Sequence, residues 1–86
     1  MITDIYIVYD NKEQLNKLDK FDFKDKYVHL INLKTSKGIK EGKKIMYAWG
    51  AMMAPFAIIY DHEHPIRAFY TETDPDIIET LINYIR

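Results

Sequence analysis

The apolar and polar positions fall into short stretches of two different periods. Ile2–Tyr9 alternates only weakly, and Ile5–Tyr9 (Ile-Tyr-Ile-Val-Tyr) is apolar on both faces, which predicts a central strand. Asp10-Asn11 ends it and can cap the next segment. Lys12–Lys20 offers only Leu15 and Leu18 at helical spacing, so a short, mostly solvated helix is predicted. Phe21 and Phe23, on either side of Asp22, are expected to tuck beneath the sheet through a loop. Tyr27–Leu33 (Tyr-Val-His-Leu-Ile-Asn-Leu) is a second strand. A helical segment between two such strands predicts a βαβ unit with a right-handed crossover.

Thr35-Ser36 supplies caps for a longer helix. Ile39, Met46, Trp49 and Met53 follow at spacings of seven, three and four, one face of that helix. Gly38 and Gly42 weaken its first turns by up to ~1 kcal/mol each relative to alanine, so a frayed or late start is expected. Phe56–Tyr60 is a continuous apolar run, a third strand, and Pro55 sits where a sheet tolerates proline, at the strand's beginning. Asp61–Pro65 reads as a polar five-residue turn into a fourth strand, Ile66–Thr71, which makes the pair an antiparallel hairpin. Asp74 as N-cap and Pro75 at the first helical position open a closing helix with an apolar stripe of Ile77, Ile78, Leu81, Ile82 and Ile85. The expected order is β-α-β-α-β-β-α, a single α/β domain over residues 1–86. Its four-stranded mixed sheet has order 2-1-3-4, with helices on both faces.

Composition narrows the chemistry. The chain has 86 residues, 48% of them apolar, enough for one core. Its net charge of −1 argues against a globally basic nucleic-acid binder. It has no cysteine, which removes disulfides, thiolate metal sites and thiol catalysis together and fits a reducing compartment. The N-terminus lacks a basic segment, Asp4 interrupts the first apolar run, and no run approaches the ~20 residues of a membrane span. A soluble, cytoplasmic protein without membrane attachment is therefore expected. The excess of Lys, Ile, Asn and Tyr fits an AT-rich genome, such as a phage or its low-GC host.

The element order resembles the thioredoxin fold, most closely from Trp49 to Ile85. Gly50–Phe56 looks like the segment leading into that family's proline loop, Phe56–Tyr60 like the strand after it, and Asp74–Arg86 like the closing helix. The resemblance implies a cis Ala54–Pro55 bond facing a binding site. The family's Cys-x-x-Cys would fall near Asp10–Gln14, where this chain has Asp-Asn-Lys-Glu-Gln. A thiol oxidoreductase is thereby excluded.

Three groups of residues are candidates for function. By the resemblance, the backbone of Ala54 beside Pro55 can pair with an extended partner segment, with Tyr9, Asp10 and Asn11 on the rim. Shaping a loop is the plain alternative for Pro55. His62-x-His64 with Asp61 and Glu63 has the residue types of a metal site, yet a solvated turn accounts for all of them, and no metal is assigned. Lys34, Lys37, Lys40, Lys43 and Lys44 form a basic run opposed only by Glu41. Lys43 and Lys44 could hold an anion or acidic partner, or the run, with Tyr47 and Trp49 after it, could bind nucleic acid, or it is an ordinary solvated face. No catalytic constellation stands out and no cofactor is implied. The leading expectation is a redox-inactive thioredoxin-like module that binds a protein partner, or a second copy of itself, through the proline loop or a sheet edge. A small thiol or anion bound in the same cleft is the alternative, and nucleic acid on Lys34–Lys44 a third, disfavoured reading.

Overall fold

The computed structural model describes residues 1–86. Strands β1 (Asp4–Tyr9) and β3 (Phe56–Asp61) carry the core because both are covered on both sides. Their alternate residues point to opposite faces. Ile5, Ile7, Ala57 and Ile59 build one cluster, and Val8, Phe56 and Ile58 build the other. β2 (Tyr27–Asn32) runs parallel to β1, and β4 (His64–Tyr70) pairs antiparallel with β3. The strand order is β2-β1-β3-β4. No helix is long and apolar enough to cross a membrane.

The first crossover is a 3-10 helix, Lys12–Lys20, closed at its start by a capping box between Asn11 and Gln14. Leu15 and Leu18 pack with Phe21 and Phe23 against the first cluster. Helix α2 (Ile77–Ile85) lies beside it and buries Ile77, Ile78, Leu81 and Ile82. Lys17 joins the two through Asp76 and through Glu79 at 2.9 Å. The closing helix starts two residues later than expected. Asp76, not Asp74, is the N-cap and accepts from the Glu79 amide at 3.2 Å. Asp74 instead accepts from the Asp76 amide and the Thr80 hydroxyl, an Asx turn that holds the chain before the helix.

Helix α1 (Ser36–Ala48) covers the other face, and here two expectations fail. Its start is regular: the Thr35 hydroxyl accepts from the Gly38 amide at 2.9 Å and donates to the Asn32 carbonyl at 3.0 Å. Its buried side is Gly38, Gly42 and Met46, whereas Ile39 is 41% and Met53 53% exposed. The glycines are the contact surface. A Cβ at Gly38 would lie 1.7 Å from the Asn32 carbonyl oxygen, and one at Gly42 2.6 Å from Leu33 Cδ2 and 3.0 Å from Val8 Cγ1. Counting only large apolar residues misses the glycine face, and Met53 lies beyond the helix, which ends at Ala48.

The hairpin is also tighter than expected. Only His62 and Glu63 separate β3 from β4, with His62 at a φ of 57°. Pro65 pairs with Tyr60 inside β4, an edge strand, where a sheet tolerates proline, and the register shifts between Ile59 and Tyr60.

Two glycine substitutions separate close packing from helix propensity. At an unobstructed helical site Gly→Ala stabilises by ~1 kcal/mol. Gly38→Ala is expected to destabilise by at least ~3 kcal/mol because a backbone carbonyl must move, and Gly42→Ala by about 1–3 kcal/mol because side chains can yield. Urea unfolding followed by circular dichroism measures both. A Gly38→Ala protein as stable as wild type would refute the contact.

Candidate functional site

The segment between α1 and β3 is built from the helix end outward. Gly50, at a φ of 70°, follows the C-cap residue Trp49. Its amide bonds the Tyr47 carbonyl at 3.2 Å, and the Ala51 amide bonds the Met46 carbonyl at 2.8 Å, the paired bonds of a Schellman ending. The Tyr70 hydroxyl donates to the Trp49 carbonyl, and Glu72 accepts from the Met52 amide at 3.1 Å. On the far side the Pro55 carbonyl accepts from the Thr71 hydroxyl. The loop is thus fastened at both shoulders. Between them, the main-chain N–H and C=O groups of Met53 and the N–H and C=O of Ala54 have no partner within the chain. The Ala54–Pro55 peptide bond is cis.

This loop forms one wall of an open depression of about 510 Å³ at the C-terminal end of β1. Leu33, Met46 and Ala51 line it, Asp10 and Lys43 stand on it, and Tyr47, Met52, Met53 and Ala54 complete it. Tyr47 is 90% and Met52 86% exposed, so large apolar groups gather beside the free main chain. Scattered exposed apolar residues are ordinary, whereas a contiguous set beside a depression is characteristic of interaction surfaces.

Of the residues expected to form a site, Asp10, Lys43 and Ala54 converge here, and Pro55 adjoins them. The others lie elsewhere. Tyr9 is buried and lines a hollow under the 3-10 helix with Leu15 and Leu30. The Asn11 side chain accepts from the Glu13 amide as a helix cap. Lys44 projects from the opposite flank of α1, near Glu41, Tyr6 and Trp49. Met52 and Met53 are not among the expected site residues; their signal is Ala51-Met52-Met53-Ala54 between a helix-ending glycine and a proline, an apolar stretch that belongs to no regular element. Tyr47 lies on α1, just after the basic run Lys34–Lys44.

The histidines occupy the opposite end of the sheet. His29 Nε2 lies 2.9 Å from Asp4 Oδ1, and its ring stacks on Tyr6 at 4.2 Å. Asp4 Oδ2 accepts from the Thr3 hydroxyl at 2.9 Å, and the Thr3 oxygen accepts from the His62 amide at 2.6 Å. This network ties β1, β2 and the hairpin turn together. A His–carboxylate pair is also the core of many general bases, but the one hydroxyl in this network already donates to Asp4. His62 pairs with Asp61 at 2.8 Å, and His64 begins β4. No group of three or more His, Asp or Glu side chains is placed to hold a metal ion.

Comparison with known protein families, with curated proteins and with solved structures finds no match to this chain.

The Asp4 pair gives a pH signature. Hydrogen bonds from His29 and then Thr3 hold the Asp4 carboxyl below the ordinary aspartate range. A carboxyl ionised more readily when folded adds stability above its unfolded pKa and loses it as pH falls through the folded value. His29→Phe keeps a stacking ring and removes the hydrogen bond. Its Tm is expected to fall less steeply than that of wild type below about pH 4. A thermal unfolding series across that range measures the slope, and identical slopes would show that the pair contributes nothing.

Proposed function

We propose that this chain is a redox-inactive thioredoxin-like module that binds an extended segment of a partner protein across the Met52–Pro55 loop. The observation that carries the reading is the unpaired main chain of Met53 and Ala54 beside an open, apolar depression. An extended peptide laid against such groups gains main-chain hydrogen bonds, while its side chains sample the neighbouring pocket. The sheet order and the position of the loop before β3 support the likeness to thioredoxin-type proteins, which hold extended substrates beside a proline at this place. The absence of cysteine leaves binding as the activity that likeness supports.

A small thiol or anion in the same cleft is the competing reading. Small-molecule sites bury most of their ligand's surface, and a depression open along one side offers little enclosure.

Affinity capture from the cell that makes the protein tests the module. The bait is wild type beside a Met52→Asp/Met53→Asp variant. Both methionines are exposed, so the variant is expected to keep its Tm within the few degrees typical of surface changes. One protein retained by wild type and lost by the variant is the expected result. Equal retention by both baits would remove the loop from the contact.

A further inference from the structure

The solvent face of α1 is charged out of proportion to the rest of the molecule. Lys34–Ala48 carries five lysines and one glutamate, +4 in a chain of net −1, so the remaining residues together carry −5. Lys37 has a carboxylate within reach, Glu41 at 3.9 Å. Lys34, Lys40, Lys43 and Lys44 take part in no ion pair. The first turn of α1 holds no acidic residue, so Lys34 and Lys37 at its start face the positive end of the helix dipole with no carboxylate in that turn.

The lysines are also ordered. At 3.6 residues per turn, Lys40, Lys43 and Tyr47 fall within a stripe about 60° wide. Gly38, Gly42 and Met46 occupy the opposite, buried side, which fixes that stripe toward solvent. Its lower end is the wall of the depression, where Lys43 and Tyr47 stand next to Met46 and Met52. Unpaired cations therefore run directly into an apolar pocket.

Resting on the binding-module reading, we propose that the partner segment is acidic and apolar. One apolar side chain enters the depression, and Asp or Glu residues close to it in the segment meet Lys40 and Lys43. Asp10 stands on the depression too and repels carboxylates there, which leaves the α1 side for the acidic residues. Charge complementarity of this kind sets partner choice and association rate more than bulk affinity. Nucleic acid fits less well. Single-strand binders interleave several aromatic platforms with their basic groups, and here Tyr47 is alone on the stripe. The net −5 of the remaining chain repels a long polyanion.

A random octapeptide library, selected in parallel on three folded proteins, tests the assignment. The baits are wild type, Lys40→Glu/Lys43→Glu and Met52→Asp/Met53→Asp, each checked by its Tm. Enriched peptides are then synthesised and titrated by fluorescence polarisation at about 50 and 300 mM salt. Wild type is expected to enrich peptides rich in Asp and Glu around a Leu, Ile, Phe or Met. The best of them is expected to bind the lysine variant at least about tenfold more weakly and to weaken with salt. Enrichment of one peptide set by both wild type and the lysine variant would overturn the acidic assignment and leave the module standing. So would wild-type peptides without acidic excess. No enrichment by wild type, or enrichment that survives the methionine variant, would overturn the binding-module reading itself. Displacement of the peptide by single-stranded DNA more readily than by unlabelled peptide would assign the lysine face to nucleic acid instead.

Discussion

The seating of α1 on β1 and β2 is the contact on which the rest of the site depends. Helix axes lie about 10 Å from a covering layer when side chains intervene, and glycine permits closer approach. Gly38 rests on the Asn32 carbonyl, and Gly42 on Val8, Ile31 and Leu33. These contacts set both the depth of the helix and its rotation. The rotation decides that Lys40, Lys43 and Tyr47 face outward and that Met46 closes the floor of the depression. The depth decides where Gly50 releases the chain. A helix raised by one side chain would lift the Met52–Pro55 loop off the end of β1 and separate Asp10 from Ala54. A packing constraint on one face of α1 thus determines the chemistry of the other.

The two ends of the sheet do different work. At the N-terminal end of β1, polar groups are paired with one another: His29 with Asp4, Asp4 with Thr3, Thr3 with the His62 amide. Such a closed network holds strands in place and leaves little capacity for a ligand. At the C-terminal end, main-chain groups, lysines and apolar side chains are unpaired together. Groups left without partners are costly only where water is excluded, and here Met53 is exposed and Ala54 half-buried. They are available to a second chain without prior breakage of anything in the first.

Most of the architecture was legible in the sequence because it follows from period. Continuous apolar runs marked β1 and β3, and the final stripe marked α2, since these depend on side chains that must be buried. The failures share a different cause. Propensity marks Gly38 and Gly42 as weak helix formers, whereas their role is contact. Hydropathy places Ile39 in the core because it cannot see a glycine face, and Met53 because the stripe runs on past Ala48, where the helix ends. Asp74 and Asp76 are chemically alike, and only the loop geometry decides which one caps α2. The polar run Asp61–Pro65 predicts too long a turn because a histidine in the left-handed region carries no sequence mark. In the site, Asp10, Lys43 and Ala54 came together while Tyr9, Asn11 and Lys44 diverged. Adjacent residues of a strand or helix point in different directions, so closeness in sequence to a site residue does not place a neighbour on the same wall.

The sheet edges are the other surfaces on which an extended partner could lie, and the structure treats them unequally. β4 carries Pro65 and a register shift, two features that blunt an edge against further pairing. β2 has neither and exposes Tyr27 and Leu30, so its edge is the more open of the two. What β2 lacks is a depression shared with exposed apolar groups and unpaired lysines. Main-chain pairing alone is sequence-blind and would accept any strand. Discrimination needs side-chain pockets and charge beside the paired backbone. That combination occurs at Met52–Pro55, beneath the lysine stripe of α1, and it favours the loop over either edge as the proposed recognition surface.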